Sequence, residues 1–515
     1  MLCSRLPVVT LPPMSYRLLH GARVLTSRAG FEARALLLRD GVIVDLLAPR
    51  EADSLRKRDD VAAVDMAGSW IVPGLVDAHI HLVALALRSV RCDLSAAKSA
   101  PAIVAALQRF AATAPEDGVI MGVEWDESSW ETTALVTREQ LNTVSKERPV
   151  FARRVCGHVG VANSAMLALL EPSPQIDPES GRITERAVAA ATAAAYPAPE
   201  RIADGFTPAI GTLHSLGVTT VHDIIEPRHA DAYARGLRRA PRPLRVHGYF
   251  HATPDAFESL AASMASAGSR FLAAGIKVYA DGSIGGRTAA MHAPYADGDG
   301  CGELLVAPAE LEATARRCAE LEIGCAIHAI GDRTIAEVAR AMAAAGGGER
   351  FRIEHAEFMG HEELDAVRDA GLVLSMQPNF VRNWGGEGGL YQRRLGPERW
   401  RRHNPFRTIV SAGIPLVFGS DGMPAGPLYG LRGAVHHPVA GESIDAATAL
   451  SLCTEAPWRY GPHRAPGGRI ERDLPADLTV LSGNPFIANL DGLSVRSTWV
   501  AGEQVYSGPS SLVSP

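Results

Sequence analysis

The stretch that decides the fold is "IVPGLVDAHIHL", which runs from Ile71 to Leu82. Most of it is apolar, as in a buried strand, but Asp77, His79 and His81 occupy alternate positions near its end. Side chains of a strand point alternately to its two faces, so these three polar groups share one face. Two histidines on one rigid strand can present their imidazoles to a single metal ion. Taken alone, the pair is equally compatible with a structural role.

From about residue 207 onward, short apolar or β-branched runs alternate with alanine-rich helical segments. Together with the opening stretch they give eight candidate strands, the other seven being "GVTTVHDII", "LRVHGYF", "GIKVYADGS", "IGCAIHAIGD", "FRIEHAEF", "LVLSMQPNF" and "IPLVFGSDG". Regular alternation of strand and helix favours parallel pairing. Eight such units predict an α/β fold with a (β/α)8 TIM barrel, here over residues 71–463.

Both ends of the chain read as strands joined by turns. "YRLLHGARVL" and "ARALLLRDGVIVDLL" at the start, with "ADLTVLSG" and "RSTWVAGEQVYSG" at the end, predict a small β-sandwich domain from residues 15–70 and 464–510. About 120 residues separate the first two barrel strands, which is too long for a bare loop. We therefore predict an inserted subdomain after barrel strand 1, over about residues 84–205. Residues 1–14 are expected to be a disordered extension, with Met1 and Met14 both candidate starts.

Composition excludes several classes of function. The chain has 515 residues and a net charge of −6, so it offers no basic field for nucleic acid or an anionic membrane. The 7 cysteines form no CxxC pair and suit a reducing compartment. No apolar segment approaches the roughly 18–20 residues of a membrane span, and "MLCSRLPVVTLPP" has too short an apolar run for a signal peptide. These features lead us to expect a cytoplasmic protein.

Titratable residues recur near the carboxyl ends of the predicted barrel strands. They are His79, His81, Lys277, His328, His355 and Asp421. In (β/α)8 barrels that end carries the active site. A single buried histidine is more often a hydrogen-bonded core residue, but burying six such groups separately would cost desolvation energy at each. One shared metal site explains all of them, and imidazole and carboxylate ligands suit Zn²⁺ and related divalent ions.

Lys277 is the unusual member of this set, because a dication repels an ammonium group. It fits if its amine is neutral and has reacted with CO2, since the resulting carbamate is a carboxylate that can bridge two metals. The alternatives are an ammonium paired with Asp281 and an ammonium that binds substrate. Two metals that share a bridging hydroxide would activate it as a nucleophile and polarise a substrate carbonyl.

Taken together, these segments resemble the amidohydrolase superfamily of metal-dependent hydrolases. The matching motifs are "VPGLVDAHIHL", "IKVYADGSIGGRTA", "AIHAIGD", "RIEHAE", "SMQP", "GSD" and "ADLTVL" with "VAGEQVY". "DGSIGGRTA" and "HAIGD" resemble the branch called amidohydrolase family 3, which includes N-substituted formamide deformylases. The resemblance implies cleavage of a C–N amide-type bond in an N-substituted formamide, N-acyl amine, cyclic amide or urea. The alternative is an ester or lactone hydrolase with the same site, and a remote one is a non-catalytic scaffold, disfavoured because all six ligand positions are filled.

The resemblance also implies roles for the matching residues. His79 and His81 would bind the more buried of two divalent ions, and His328 and His355 the other. Carbamylated Lys277 would bridge the two ions. The ions are expected to be zinc, with manganese or iron as alternatives.

Two aspartates complete the implied site. Asp421 would ligate the first metal and transfer the proton, first as general base and then as general acid, because a metal-bound carboxylate stays ionised close to the nucleophile. Asp77 would orient an imidazole, or else cap the strand end. The substrate is expected to be a small molecule, and since superfamily relatives are often dimers, a homodimer is the expected assembly.

Five further residues are candidates for contact with the substrate. His158 and Asn163 lie in "GHVGVANSAM", which resembles the pattern of the family branch around a histidine and an asparagine. Arg287 follows in "GGRTA" and Gln377 in "SMQP", and Trp125 is a candidate for lining the pocket, with buried packing as its alternative. Many relatives carry a histidine shortly after "QP". This chain has "NF" there, which predicts a less polar pocket.

Overall fold

The computed structural model describes residues 16–27, 30–114, 118–127, 130, 135–461, 466–487 and 490–509. The extension predicted for residues 1–14 lies outside these ranges. The chain divides into two compact units. The first contains Met1–His81, Ile210–Ala230 and Arg242–Pro515, and the second contains Leu82–Ala209 and Asp231–Pro241.

Eight parallel strands form the central sheet of the first unit. They are β6 (Leu75–Ile80), β12 (Val218–Ile225), β13 (Arg245–Phe250), β14 (Phe271–Tyr279), β15 (Gly324–Ala329), β16 (Phe351–His355), β17 (Val373–Met376) and β18 (Leu416–Phe418). Their order in the sheet is their order in the chain. The last strand returns to the first, since the backbone N–H of Asp421, just beyond β18, donates to the carbonyl of His79 at 2.7 Å. The predicted (β/α)8 barrel is confirmed.

The barrel strands are mostly buried, as expected of parallel strands covered by helices, although both ends of β14 are half buried. Every residue of β6 and of β12 is buried.

The α-helices within the described ranges are α1 (Pro49–Leu55), α2 (Leu82–Ser89), α3 (Ala100–Thr113), α4 (Arg138–Asn142), α5 (Ser164–Leu167), α6 (Glu185–Ala194), α7 (Pro199–Ser215), α8 (Ala230–Arg239), α9 (Phe257–Ser263), α10 (Pro308–Glu320), α11 (Asp332–Ala344), α12 (His361–Asp369), α13 (Pro378–Trp384), α14 (Leu390–Trp400), α15 (Phe406–Ser411), α16 (Pro427–Val435), α17 (Ala446–Ser451) and α18 (Glu455–Arg459). Helix α11 shows the packing rule, because Ile335, Val338, Ala339 and Met342 recur at helical spacing and are buried.

Strands from both ends of the chain share a second sheet in the same unit. They are β1 (Tyr16–Ser27), β2 (Gly30–Arg39), β3 (Val42–Leu47), β4 (Val61–Asp65), β5 (Trp70–Pro73), β19 (Leu478–Leu481), β20 (Val495–Val500) and β21 (Glu503–Ser507). The order is β21-β20-β19-β5-β1-β2-β3, with β4 paired to β1. Its buried core includes Leu19, Leu36, Ile71 and Trp499. The strands predicted at both ends are therefore present, while the domain boundaries given above stay a prediction.

A single residue, Gly74, joins this terminal sheet to the first barrel strand. Its N–H donates to the carbonyl of Asp477 at 2.8 Å. A Cβ atom at this position would lie 2.3 Å from Oγ1 of Thr219, so a larger residue would force the neighbouring barrel strand to move. This close approach fixes where β6 begins and, with it, the position of His79.

The second unit has a sheet and cores of its own. Its strands are β7 (Cys92–Asp93), β8 (Ile120–Trp125), β9 (Val150–Arg154), β10 (Val159–Ala162) and β11 (Arg182–Thr184). Strands β7, β8 and β9 are parallel, whereas β9, β10 and β11 are antiparallel. Ile103 and Leu107 of α3 belong to one of the buried clusters of this unit. Across the described ranges, no helix is both long and apolar enough to cross a membrane.

Candidate metal centre

The carboxyl ends of the barrel strands bring potential metal ligands together. Donor atoms of His79, His355 and Asp421 all lie within 4.8 Å of one another. Oδ1 of Asp421 is 3.2 Å from Nε2 of His81 and 3.7 Å from Nε2 of His79. The ring of His328 lies 4.4 Å from that of His355, centroid to centroid. Four histidines and one aspartate that are far apart in sequence therefore converge at one end of the barrel.

Lys277 is buried in the same barrel. Its side chain is fully buried, and its Nζ has no hydrogen-bond partner among the described residues. Burial lowers the pKa of Lys277 to about 8, although the charges of Glu354 and Asp421 act the other way. The carboxylate of Asp281 does not take this amine, because it accepts backbone N–H groups on both of its oxygens. A buried amine with a lowered pKa is the state in which a lysine reacts most readily with CO2.

Three of the imidazoles are each held through one ring nitrogen. The pairs are His79 Nδ1 with Glu354 Oε2 at 2.5 Å, His355 Nδ1 with Gln377 Oε1 at 2.8 Å, and His328 Nε2 with the carbonyl of Gly282 at 2.9 Å. Each acceptor takes the ring N–H, so the other nitrogen of each ring keeps its lone pair. Nε2 of His79 and Nδ1 of His328 are buried with no hydrogen-bond partner in the described part of the chain. Bound divalent metal ions would satisfy these two nitrogens, and the residues present fit such ions.

Electrostatics keep these groups in the protonation states that bind metal. Burial lowers the pKa of His79 and His355, and it lowers that of His328 to about 3, so all three rings are neutral at neutral pH. Burial acts to raise the pKa of Asp421, but the hydrogen bond from His81 and the neighbouring imidazoles outweigh it, and the pKa lies below its ordinary value. Neutral imidazoles around an ionised carboxylate are the donor set that zinc prefers.

Two of the predicted ligands have an uncommon backbone conformation. His355 has a φ of +73° and Asp421 a φ of +53°, both in the left-handed region that non-glycine residues rarely adopt. Alternation along β16 would turn His355 away from the face that carries Glu354. The left-handed residue at the end of the strand instead brings the ring of His355 within 4.7 Å of the ring of His79.

Asp77 lies on the same strand as His79 but bonds elsewhere. Its carboxylate accepts the backbone N–H of Ser420 at 2.7 Å and the hydroxyl of Ser420 at 2.5 Å. Burial raises the pKa of Asp77 to about 6, and the bonds from Ser420 oppose this shift. These contacts tie β6 to the end of β18 beside Asp421. The imidazole-orienting role given to Asp77 stays a prediction.

Arg352 and Glu354 are site residues that the sequence reasoning missed. Both are buried inside the barrel, where Nε of Arg352 donates to Oε1 of Glu354 at 2.6 Å. Other guanidinium contacts include Nδ1 of His222 at 2.9 Å, the carbonyl of Ala78 at 2.7 Å and Oγ of Ser375 at 2.8 Å. The available signal was two charged residues two positions apart in "FRIEH", a strand that reads as buried on both faces.

Three of the predicted substrate residues belong to the second unit. The side chain of His158 is 70% exposed and its Nδ1 lies 3.1 Å from Oε2 of Glu185. Asn163 is buried, and its amide bonds to the backbone of Ser145, Arg148, Val150 and Met166. Trp125 is fully buried in a hydrophobic cluster. The substrate roles of these residues stay predictions, and the contacts of Asn163 and Trp125 are those of structural residues.

The other two substrate candidates lie in the first unit. Arg287 is half exposed and forms a two-pronged ion pair with Asp297, at 2.9 and 3.0 Å. Gln377 is buried and accepts the hydrogen bond from His355 described above. Its observed contact is therefore to the ring of His355. The substrate role of both Arg287 and Gln377 stays a prediction.

Comparison with known proteins decides the family. The sequence profile of the amidohydrolase family matches residues 62–506, which is most of the chain. The chain belongs to the amidohydrolase family. The Bacillus subtilis (strain 168) protein YtcJ is 28% identical to this amidohydrolase over 95% of the chain and 98% of its own length. An N-substituted formamide deformylase from Arthrobacter pascens is 26% identical, over 86% of this chain and 89% of its own.

A solved structure agrees with this assignment. A metal-dependent hydrolase from Pyrococcus furiosus superposes on the amidohydrolase with a TM-score of 0.78 and 26% identity, covering 92% of this chain and all of the other. This amidohydrolase is therefore a metal-dependent hydrolase, an enzyme of a family that acts on small molecules.

Proposed function

We propose that this amidohydrolase cleaves a C–N amide-type bond in an N-substituted formamide, N-acyl amine, cyclic amide or urea, using two divalent ions bridged by carbamylated Lys277. The observation that carries the proposal is Lys277, a buried amine with no hydrogen-bond partner among the described residues, whose charge interacts with His79, His355 and Asp421. The similarity to an N-substituted formamide deformylase over most of both chains supports this choice of bond.

The side chains divide between the two ions. His79, His81 and Asp421 would hold one, and His328 and His355 the other, with zinc favoured by the nitrogen and oxygen donors. When bound, the ions supply an activated water and polarise the carbonyl of the substrate. The chain contributes the proton transfer, because the ionised carboxylate of Asp421 lies beside the histidines and can accept a proton and return it to the leaving nitrogen.

An apolar wall beside the ligands favours a substrate with an apolar substituent. The ring of Phe380 lies parallel to that of His355, 6.2 Å away between centroids, and the ring of Trp384 packs 4.9 Å from Phe380. Asn379 does not line this wall with a free amide, because its Nδ2 donates to the carbonyls of Ser420 and Met423. The position where many relatives carry histidine is thus occupied by an aromatic ring.

A metal assay followed by a substrate screen tests the proposal. Purified protein is expected to hold stoichiometric zinc, manganese or iron, and to hydrolyse members of a panel of N-substituted formamides, N-acyl amines and lactams. Aryl esters and lactones belong in the same panel. Turnover of the esters alone would replace the amide assignment by ester hydrolysis, and protein without any bound metal would overturn the function as a whole.

Asp421→Asn is the matched variant for the screen. It keeps the shape of the side chain but removes its basicity, so we expect kcat to fall by about 10²–10⁴-fold. The variant is expected to unfold at nearly the same temperature as the wild type. Turnover equal to the wild type would remove Asp421 from the proton transfer.

We also propose a cytoplasmic location and a homodimer. The six cysteines within the described residues are all free, which suits a reducing compartment. Superfamily relatives are often dimers, which supports the proposed homodimer. Size-exclusion chromatography with light scattering measures the assembly directly.

A further inference from the structure

The three tethered imidazoles have unequal hydrogen-bond acceptors. The ring of His79 bonds to a carboxylate, that of His355 to an amide oxygen, and that of His328 to a backbone carbonyl. The distance to the carboxylate, 2.5 Å, is also the shortest of the three. Hydrogen bonds to an ionised acceptor are shorter and roughly twice as strong as neutral ones. His79 therefore receives the strongest polarisation of the three rings.

Arg352 maintains the charge of that acceptor. Its guanidinium donates to Oε1 of Glu354 at 2.6 Å and to Oε2 at 3.2 Å, and both side chains are buried. The same guanidinium bonds the carbonyl of Ala78, the residue that precedes His79. Arg352 thus fixes both sides of the hydrogen bond between Glu354 and Nδ1 of His79, because it bonds the carboxylate of Glu354 and the strand that carries His79.

We propose that Glu354, fixed by Arg352, is a positioning residue that makes His79 the strongest imidazole donor of the metal centre. It follows that the metal position served by His79 fills before the position served by His355 and His328, and empties after it. This inference rests on the metal centre of the proposed function and ranks its two positions. Carboxylates that bond a ligating histidine raise the basicity of the ring, and removing them typically costs about 10–100-fold in metal affinity.

Zinc titration of the full-length apoprotein tests this ranking. Glu354→Gln keeps the size of the side chain and an acceptor oxygen but removes the charge. We expect it to weaken the tightest zinc equivalent by about 10–100-fold in competition with a chromophoric chelator. In cobalt-substituted protein, the visible absorption of the first equivalent should change as well, which a purely structural role would not produce.

Gln377→Met is the matched control, because it removes the neutral acceptor of His355. It should weaken the looser equivalent and leave the tightest one close to the wild type. If the wild type holds a single equivalent, Glu354→Gln should weaken it more than Gln377→Met does. Circular dichroism and thermal unfolding of each apoprotein report folding.

Several results would overturn the ranking. One is a tightest equivalent that Glu354→Gln leaves unchanged, and another is equal weakening of all equivalents together with a less stable apoprotein. If Glu354→Gln does not fold, Glu354→Asp replaces it, because this variant withdraws the carboxylate from Nδ1 while keeping its charge. An unchanged affinity of Glu354→Asp for the tightest zinc equivalent would also overturn the ranking. Wild-type protein that takes up no metal would instead overturn the proposed function, which separates the two failures.

Discussion

Two cations are buried in the same barrel with opposite surroundings. The guanidinium of Arg352 has acceptors on all sides, whereas Nζ of Lys277 has no hydrogen-bond partner among the described residues. Burial acts to lower the pKa of Arg352, but the charge of Glu354 outweighs it and raises that pKa above its ordinary value. Burial instead lowers the pKa of Lys277 to about 8. The cation with hydrogen-bond partners, Arg352, stabilises the site, whereas the amine of Lys277, which has none among the described residues, can react.

Replacing Lys277 should have the largest effect on activity. Lys277→Ala removes the proposed bridging carboxylate, so we expect metal to be lost and kcat/KM to fall by about a thousandfold or more. Short carboxylic acids should partly restore both, because they can occupy the space left by the side chain. The measurements are metal content and steady-state kinetics with and without added acid. Full activity in Lys277→Ala would show that the amine is only a buried structural group.

The stability of two matched variants separates the two cations further. Arg352→Met removes the guanidinium that offsets the buried charge of Glu354, so we expect the free energy of unfolding of the apoprotein to fall by about 3–5 kcal/mol. Lys277→Met removes a buried amine that has no hydrogen-bond partner among the described residues, so it should leave that free energy unchanged or raise it. Denaturant unfolding monitored by circular dichroism measures both. Equal destabilisation by the two variants would contradict the difference in surroundings.

The smallest effect concerns how the lysine acquires its carbamate. Since the pKa of Lys277 is about 8, raising the pH deprotonates the amine and increases the fraction of protein whose amine can react with CO2. Between pH about 6.5 and about 8.5, at a fixed concentration of dissolved CO2, the rate at which apoprotein regains activity with metal should rise roughly 25-fold, because the neutral share of the amine grows from about 3% to about 76%. Carbon-13 NMR after labelling with ¹³C-bicarbonate should show a carbamate signal that Lys277→Met lacks. Full reactivation without bicarbonate, and without that signal, would refute the carbamate.

The barrel could be predicted because each strand carries its own signal. Apolar runs separated by helical segments gave all eight strands, from β6 to β18. Boundaries were less certain where burial is partial. Strand β14 begins at Phe271, earlier than the predicted start at Gly275, and its first three residues are half buried.

Strand ends in the sequence predicted the candidate ligands, whose metal-binding roles stay predictions, but the sequence did not predict the residues that support them. His355 faces the centre only because its backbone is left-handed, and no residue type signals that conformation. Arg352 and Glu354 lie two residues apart on β16 and pair with each other in the barrel interior, and their spacing in "FRIEH" was the signal of this pair in the sequence. Gln377 was predicted as a substrate contact from its motif, whereas its observed partner, His355, is set by the pairing of neighbouring strands.

The pairing of β5 with β19 has a consequence for the synthesis of this enzyme. A ribosome releases β5 and the histidine pair that follows it long before it releases Asp421 and β19. During most of translation, His79 and His81 form an exposed chelating pair that lacks its carboxylate and one of the strands that anchor it. An incomplete pair has no fixed geometry with which to select among divalent ions, because that geometry exists only in the folded barrel. We therefore expect the correct metal to be selected only after the complete chain has left the ribosome.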